Sequence, residues 1–263
     1  MSIEMGNKAI LIVGHGSRYT YNKNIMLLQK ERLEAMGFGN IYIGFNEASK
    51  PTIQEAMSSI AADGFEEVIA VPFFIASGLH MTRDIPPKLC LSEGQREGPV
   101  NVDGRTLIMH FDTPFGDEPL LAQILKERIA LASTGDKPAV IVVGHGSRLP
   151  YNKEIISLNA SRLSTMGLGD VYYAFNEFND PKIEPVLEEA LDNGADEVLV
   201  VPLFISLGDH LKNDIPPKIH LVDGQSYGEY DHKGRKVIIR YLLPIGEDPR
   251  LTEVLAEKIK RYL

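Results

Sequence analysis

Two histidines and one carboxylate in the first half of the chain are residue types that bind metal ions and transfer protons. They are His15, which stands between two glycines, His80, which precedes an Asp-Ile-Pro-Pro segment, and Glu47. Near neutral pH an imidazole can bind a metal or accept a proton. A carboxylate beside two imidazoles completes a site suited to divalent iron, cobalt, nickel or zinc. The structural alternatives are histidines that cap turns and a solvated carboxylate at a loop.

The same three residues recur 130 positions later as His145, Glu177 and His210. The motif Gly-His-Gly-Ser-Arg around the first histidine is repeated letter for letter, and no insertion separates the two halves. Because a turn alone can be built from other residues, this repetition favours a functional role. We therefore predict two tandem domains, residues 1–134 and residues 135–263.

Three other histidines and the single cysteine are not kept at matching positions in the two halves. His110, His220 and His232 have no histidine counterpart, and we predict structural or surface roles for them. Cys90 is matched by His220, and we predict a buried, inert thiol. A single cysteine excludes a disulfide or a cysteine-ligated cluster within one chain.

Short apolar runs alternate with helical patterns along both halves. Strands are predicted at residues 8–13, 40–45, 67–71, 105–111, 139–143, 170–175, 197–201 and 235–242. Helices are predicted at residues 20–36, 52–62, 117–132, 150–166, 181–193 and 248–262. Continuous apolar strands are typical of parallel sheets that helices cover on both faces. We predict an α/β doubly wound domain in each half, with a mainly parallel four-stranded sheet flanked by helices.

The three candidate residues of the first half each follow the carboxyl end of a predicted strand. His15 and Glu47 come directly after the first and second strands, and His80 lies in the long loop 72–87 after the third. Ligands of open α/β sheets bind at that edge. We therefore expect the three side chains to converge, with a helical turn at residues 80–84.

The composition argues against nucleic acid and membranes as partners. Acidic residues outnumber basic ones by 36 to 27, for a formal charge of −9, and no run of lysine or arginine forms a stripe. No apolar run reaches the length of a membrane span, and no signal-peptide pattern is present. We predict a cytoplasmic protein.

The combined pattern resembles the class II chelatases of tetrapyrrole synthesis. It is most similar to the CbiX-type sirohydrochlorin cobaltochelatases and their archaeal nickel-inserting relatives. The resemblance rests on a strand followed by Gly-His-Gly-Ser-Arg, a strand ending in Asn-Glu, and Pro-x-Phe-Ile-x(4)-His-x(3)-Asp-Ile-Pro. It covers essentially the whole chain, twice.

This resemblance implies a metal chelatase that inserts Co(II) into sirohydrochlorin, with Ni(II) and Fe(II) as alternative ions. The metal is a substrate, and no tightly bound cofactor is expected. The implied catalytic and metal-binding histidines are His15, His80, His145 and His210. Glu47 and Glu177 correspond to the active-site acid of the family. The implied contacts to the carboxylates of the tetrapyrrole are Arg18, Arg83, Arg148, Ser17 and Ser147.

Short members of the family are single domains that pair as homodimers, and this chain resembles two of them fused. We therefore predict a monomer that acts as an intramolecular pseudo-dimer. Which half works is open, although Asn213 replaces Arg83 and Asp209 replaces Leu79 in the second half. The second site is thus the better candidate for altered activity.

Two functions of other classes remain open at this point. A metal-dependent hydrolase would hold its ion tightly enough to activate water and would purify with stoichiometric metal. A non-catalytic carrier of metal or tetrapyrrole would bind without turnover. A doubly wound α/β domain hosts many functions, so the fold alone does not separate them.

Overall fold

The computed structural model describes residues 3–18, 20–206, 208, 210–222 and 224–263, with the exception of the His210 side chain. Each repeat contains one five-stranded sheet flanked by helices, which confirms the predicted α/β class. Within these described ranges, no helix is both long enough and apolar enough to cross a membrane. The cytoplasmic location stays a prediction.

Strands and helices of the first repeat alternate in the predicted order. The elements are β1 (Lys8–Gly14), α1 (Thr20–Ala35), β2 (Ile41–Phe45), α2 (Ile53–Ala62), β3 (Glu67–Pro72), a π-helical turn (His80–Asp84), α3 (Ile85–Lys88), β4 (Glu97–Val102), β5 (Arg105–Phe111) and α4 (Pro119–Ala132). The π-helical turn lies where the sequence predicts a helical turn.

The second repeat has the same order of elements. They are β6 (Pro138–Gly144), α5 (Pro150–Thr165), β7 (Asp170–Phe175), α6 (Ile183–Asp192), β8 (Glu197–Pro202), a π-helical turn (His210–Asp214), α7 (Ile215–Lys218), β9 (Tyr227–His232), β10 (Arg235–Tyr241) and α8 (Arg250–Lys260).

The most completely buried strands occupy the interior of each sheet, as their apolar composition predicts: they are β1, β3, β6 and β8. The strand orders are β2-β1-β3-β5-β4 and β7-β6-β8-β10-β9. Residues 9–13 of β1 are fully buried, as expected of a parallel strand covered on both faces. Helix α2 begins at a capping box. The Thr52 side chain accepts a hydrogen bond from the Glu55 N–H, and the Glu55 side chain accepts one from the Thr52 N–H. These elements position the loops at the carboxyl edge of the sheet.

The prediction of four strands per domain was wrong, because each sheet has a fifth strand that runs antiparallel at its edge. β4 pairs with β5, and β9 pairs with β10. Half of the residues of β4 are exposed, and its two buried ones are Val100 and Val102. The segment therefore lacks an apolar run. Asp103-Gly104, both at positive φ, is a hairpin dipeptide and was the available signal.

The prediction that Cys90 is buried was also wrong. Cys90 lies two residues after the short helix α3 ends, where the chain turns into the left-handed region at φ 60°, and its side chain is exposed. Its counterpart His220 has φ 59°. Partial burial and the charge of Asp103 raise the pKa of the Cys90 thiol above its usual value. The thiol is therefore mainly protonated at neutral pH.

The chain divides into two compact units that do not coincide with the sequence repeats. The first unit comprises Met1–Gly116 and Glu247–Leu263, and the second comprises Asp117–Gly246. Each unit therefore includes the closing helix of the other repeat: α8 belongs to the first unit and α4 to the second.

Side-chain contacts explain this division. In the first unit the Thr252 hydroxyl of α8 donates a 2.6 Å hydrogen bond to Oε1 of Gln29 in α1, and both residues are buried. In the second unit Arg162 of α5 donates to the Asp117 carbonyl just before α4. The predicted domain boundary between residues 134 and 135 separates the two sequence repeats. It stays a prediction.

Candidate metal centre

The three candidate residues of the first repeat lie on neighbouring loops at the carboxyl edge of the sheet. β1 lies between β2 and β3, so the loops after these three strands are adjacent. The strand pairing continues into the loops, because the Asn46 N–H donates to the Gly14 carbonyl and the Glu47 N–H donates to the His15 carbonyl, at 2.8 and 2.9 Å. His80 follows at the start of the π-helical turn.

His15, Glu47 and His80 offer one ligand atom each, and these atoms all lie within 4.8 Å of one another. Nδ1 of His15 is 3.3 Å from Oε1 of Glu47. The two imidazole rings meet edge to face, with their centroids 4.5 Å apart. The three side chains are 38–54% exposed, so an ion can reach them from solvent. The predicted convergence in the first repeat is confirmed, while the metal-binding role stays a prediction.

The hydrogen-bond partners of the two imidazoles indicate which nitrogen of each ring is free. Nδ1 of His80 lies 2.9 Å from Oδ2 of Asp84, and Nδ1 of His15 lies 3.1 Å from the Gly16 carbonyl. Both of these partners are acceptors, so we assign the proton of each neutral ring to Nδ1. With this tautomer the amide nitrogen of Asn46, 3.2 Å from Nδ1 of His80, makes no hydrogen bond to that atom. Nε2 of each ring then keeps its lone pair for a metal ion or a proton.

Two further residues connect the loops of this site. The Lys88 ammonium donates to the backbone carbonyl and to Oδ1 of Asn46, at 2.6 and 2.7 Å. Nδ2 of Asn46 lies 3.2 Å from Nδ1 of His80. Lys88 is not among the residues predicted from the sequence, although a lysine recurs at the same offset as Lys218, which bonds Asn176 in the same way. Repetition of the lysine after Pro-Pro was the signal.

Replacing Lys88 by methionine is expected to weaken Co(II) binding by about 10-fold, because residues behind the ligands hold them in place. The change leaves Asn46 without its two charge-assisted hydrogen bonds. Calorimetric titration with Co(II) measures the effect, and urea unfolding checks the fold. Lys218→Met is the matched control in the other repeat. Equal losses in the two variants would contradict a specific role of Lys88.

Gly16 allows the close approach of the first and second loops. Its φ is +86°, and a Cβ at this position would lie 1.7 Å from the Glu47 carbonyl oxygen. Gly146 repeats both features, with φ +90° and a distance of 2.1 Å to the Glu177 carbonyl oxygen. Any side chain here would displace the backbone that carries the carboxylate. The first glycine after each histidine is therefore required by geometry.

Gly16→Ala is expected to lower the free energy of unfolding by at least about 2 kcal/mol, because both the positive φ and the contact disfavour a Cβ. It should also weaken Co(II) binding, since Glu47 must move. Gly78→Ala is the control, because nothing lies within 4 Å of a Cβ there and its φ is not in the left-handed region. Urea denaturation compares the two variants. A cost at Gly16 no larger than at Gly78 would refute the argument.

The second repeat places His145 and Glu177 on the corresponding loops, while the side chain of His210 lies outside the described part of the chain. Nδ1 of His145 faces the Gly146 carbonyl at 3.1 Å, as in the first repeat. A difference is Phe178, whose ring stacks on His145 with centroids 6.3 Å apart. Its counterpart in the first repeat is Ala48.

The three predicted arginine contacts lie near the candidate sites in different environments. Arg18 is exposed. The Arg83 side chain is 77% exposed, and its Nε lies 3.7 Å from Oδ1 of Asp84. The Arg148 guanidinium lies over the Phe178 ring, 5.6 Å from its centroid. All three can be reached by a ligand, and their role in substrate binding stays a prediction.

The two predicted serine contacts take part in local turns. The Ser17 N–H donates to Oγ of Ser49 at 3.1 Å, which ties the first loop to the second. Oγ of Ser147 accepts the Leu149 N–H at 3.1 Å, just before α5. These bonds position the loops, and a contact of either serine to a substrate stays a prediction.

An aromatic side chain stands beside the first histidine of each repeat. Phe74 is half-buried, and its ring centroid is 6.4 Å from that of His15. Phe204 lies 6.2 Å from His145 in the same way. The preceding Phe73 is buried and packs on Phe115 instead. Of the two adjacent phenylalanines, the second therefore borders the candidate site.

Known proteins with similar sequences and structures were compared with this chain. The sirohydrochlorin cobaltochelatase of Methanococcoides burtonii is 39% identical over 124 residues, which are 45% of this chain and 92% of the relative. SirB from Bacillus subtilis with Fe³⁺ superposes with a TM-score of 0.72 at 19% identity, covering 97% of this chain and 94% of SirB. The sirohydrochlorin chelatase SirB from Bacillus subtilis subspecies spizizenii, in complex with cobalt, has a TM-score of 0.68 at 18% identity, with the same coverage.

The structural matches share the two-domain fold over nearly their full length, while the closer sequence relative corresponds to one repeat. The model of the CbiX family matches residues 9–132 and again residues 139–262. The chain belongs to the CbiX family and carries the family's domain twice.

Proposed function

We propose that this protein is a metal chelatase that inserts Co(II) into sirohydrochlorin. The observation that carries the proposal is the cluster of His15, Glu47 and His80, with ligand atoms within 4.8 Å of one another. Relatives that are 39–40% identical to this chain over 124 and 91 residues bear the name sirohydrochlorin cobaltochelatase. Cobalamin biosynthesis is the pathway that such an activity would serve.

The reaction replaces two pyrrole N–H protons of the macrocycle by one divalent ion, so one ion enters and two protons leave. The free Nε2 atoms of His15 and His80 can present the ion and can accept protons as the metal–nitrogen bonds form. Glu47 stands within reach of His15 and can take up a proton or steady the ion. Because the three side chains are 38–54% exposed, the ion is not enclosed and can be released.

The surroundings of the site suit a flat, acidic macrocycle. Phe74 offers an apolar ring beside His15, and Arg18 and Arg83 offer exposed guanidinium groups on the flanking loops. A guanidinium binds a carboxylate through two parallel hydrogen bonds. We propose that these arginines hold acidic side arms of sirohydrochlorin, with Arg148 as their counterpart in the second repeat.

Metal insertion into sirohydrochlorin under anaerobic conditions, followed by absorbance, tests the proposal. Co(II), Ni(II) and Fe(II) are compared at equal concentration with and without the protein. We expect acceleration with Co(II) above the other two ions. No acceleration with any ion would refute the chelatase function, and tight binding of sirohydrochlorin without turnover would then indicate a carrier. Faster insertion of Ni(II) or Fe(II) would correct the choice of metal.

We also propose that the protein works as a monomer, because one chain supplies two copies of the domain. Sedimentation equilibrium should give a mass near 29.2 kDa. A stable dimer under assay conditions would contradict this proposal without affecting the chelatase function.

A further inference from the structure

The second compact unit contains a group of metal-ligating side chains away from the predicted site residues. Glu188 and Asp192 stand one helical turn apart on α6, His232 ends β9, and His220 lies two residues after the end of α7. We call these four residues the α6–β9 cluster. The candidate metal centre includes none of them.

His232 is the fixed member of the cluster. Its side chain is 5% exposed, and its Nε2 lies 2.7 Å from Oδ1 of Asp192. Hydrogen bonds from Lys233 and His232 lower the pKa of the Asp192 carboxyl below its usual value, so this partner is an ionised acceptor. The proton of the neutral ring therefore belongs on Nε2, which leaves the lone pair on Nδ1. A histidine held in this way by a carboxylate is typical of metal ligands.

The carboxylate of Glu188 lies between the two histidines. Oε2 is 3.8 Å from Nδ1 of His232, and Oε1 is 3.7 Å from Nε2 of His220. Both distances are too long for hydrogen bonds. They exceed by roughly 0.3–0.4 Å the separation of about 3.4 Å between two ligands of a tetrahedral ion. Glu188 and His220 are 51% and 37% exposed, so they can move toward the buried His232.

One side of the α6–β9 cluster is accessible to solvent. The His220 ring stacks on Tyr230, with centroids 3.9 Å apart and planes within 1° of parallel. A cavity of about 330 Å³ borders the cluster and is lined by Glu184, Glu188, Pro217, Lys218 and His220. An ion can therefore approach Glu188 and His220 directly from solvent.

The first repeat is a natural comparison, because it lacks the cluster as a whole. The residues at the four matching positions are Ser58, Ala62, Cys90 and Val102. None of them is a histidine or a carboxylate. The four ligand types thus occur together in one repeat and are absent together from the other, although the fold around them is the same.

We propose that the α6–β9 cluster binds a second divalent transition-metal ion of the borderline class, such as Zn²⁺, Co²⁺ or Ni²⁺. Glu188, Nε2 of His220 and Nδ1 of His232 are the ligands, and Asp192 orients His232. Imidazole with carboxylate suits this class of ion. The Glu188 oxygens lie 3.7 and 3.8 Å from the two imidazole nitrogens, and binding draws the two exposed side chains inward.

The test measures metal binding to the full chain in which His15, His80, His145 and His210 are all alanine. Equilibrium dialysis against Zn²⁺ or Co²⁺ alone is expected to retain one ion per chain. Adding His220→Ala and His232→Val should remove that ion or raise its dissociation constant at least 10-fold. Absence of binding before these two changes, or unchanged binding after them, would overturn the proposal.

A second variant keeps the test decisive if loss of the buried His232 harms folding. Glu188→Ser changes an exposed side chain to the residue that the first repeat has at the matching position. It should also lose the ion, while circular dichroism shows the parent fold. Retention of the ion by this variant would exclude Glu188 and overturn the proposed ligand set. No tetrapyrrole is present, so the outcome is independent of the proposed chelatase activity.

Discussion

Replacing His15 and His80 together by alanine is expected to lower the rate of Co(II) insertion by at least about 100-fold, the usual contribution of positioned acid–base groups. Both free Nε2 atoms are lost, and Glu47 alone remains of the three ligands. The three ring carbons and two ring nitrogens that each substitution removes come from partly exposed positions, so the fold should persist. Initial rates of anaerobic insertion, with circular dichroism as a check, measure this effect.

The matched variant His145→Ala/His210→Ala separates the two repeats. We expect a smaller loss of rate, because Phe178 stacks on His145 and lies under Arg148 in the second repeat. In the first repeat Ala48 leaves the corresponding face of His15 free of that ring. A larger loss in the second variant would move catalysis to the second repeat. Equal partial losses would mean that both repeats contribute.

Glu197→Gln is expected to lower the free energy of unfolding by about 3–5 kcal/mol, the cost of breaking a buried ion pair. Glu197 is 1% exposed at the start of β8, and its carboxylate pairs with the Arg240 guanidinium. It also accepts hydrogen bonds from Ser133 and from the backbone of Thr134 and Gly135, at 2.8–2.9 Å. A glutamine loses the charge, so Arg240 loses its ionised partner and keeps only its hydrogen bond to Thr134 and its contact with the Tyr227 ring.

The same carboxylate predicts how stability depends on pH. Burial raises its pKa, but the hydrogen bonds from Arg240 and the residues 133–135 outweigh burial and lower the pKa of Glu197 to about 2. A group with a depressed pKa in the folded state stabilises the fold fully above its unfolded pKa. That contribution, about 3 kcal/mol, is lost as the pH falls from about 4.5 to about 2. Glu197→Gln should flatten this part of the stability curve.

Glu67→Gln is the matched control for this prediction, because Glu67 stands at the same position in the first repeat. Its carboxylate pairs with Lys8 at 2.7 Å and is 35% exposed. More exposed pairs contribute less, so the expected cost is about 1 kcal/mol or below. Urea titrations at pH 7, 5, 4 and 3 compare both variants with the parent. A cost at Glu67 equal to that at Glu197 would contradict the role of burial.

The candidate site was predictable to the extent that its residues repeat. His15, Glu47 and His80 all recur at one offset and all follow strand ends, so their convergence could be predicted. Lys88 also recurs, but a lysine after Pro-Pro gives no hint of its partner. The structure shows that it bonds Asn46, 42 residues away in sequence, because β2 and α3 meet at the same edge of the sheet.

Local pattern was enough for the α/β class, the order of elements and the duplication. The apolar run of β1 predicts a buried strand, and the glycines on either side of His15 predict a tight turn. Both patterns recur in the second repeat. The two antiparallel edge strands were missed because half of the residues of β4 and of β9 are exposed, so neither strand has an apolar run. Their stability comes from hydrogen bonds to β5 and β10, which composition does not display.

The composition of the compact units was decided by tertiary contacts. The repeat boundary follows from identity at a fixed offset, whereas α8 belongs with the first unit, where its Thr252 meets Gln29. Which surface a helix packs against depends on the shape and polarity of residues far away in sequence, and an amphipathic pattern specifies a buried face without naming its partner. The same reason explains why Glu188, His220 and His232 look unrelated along the chain yet stand together in the fold.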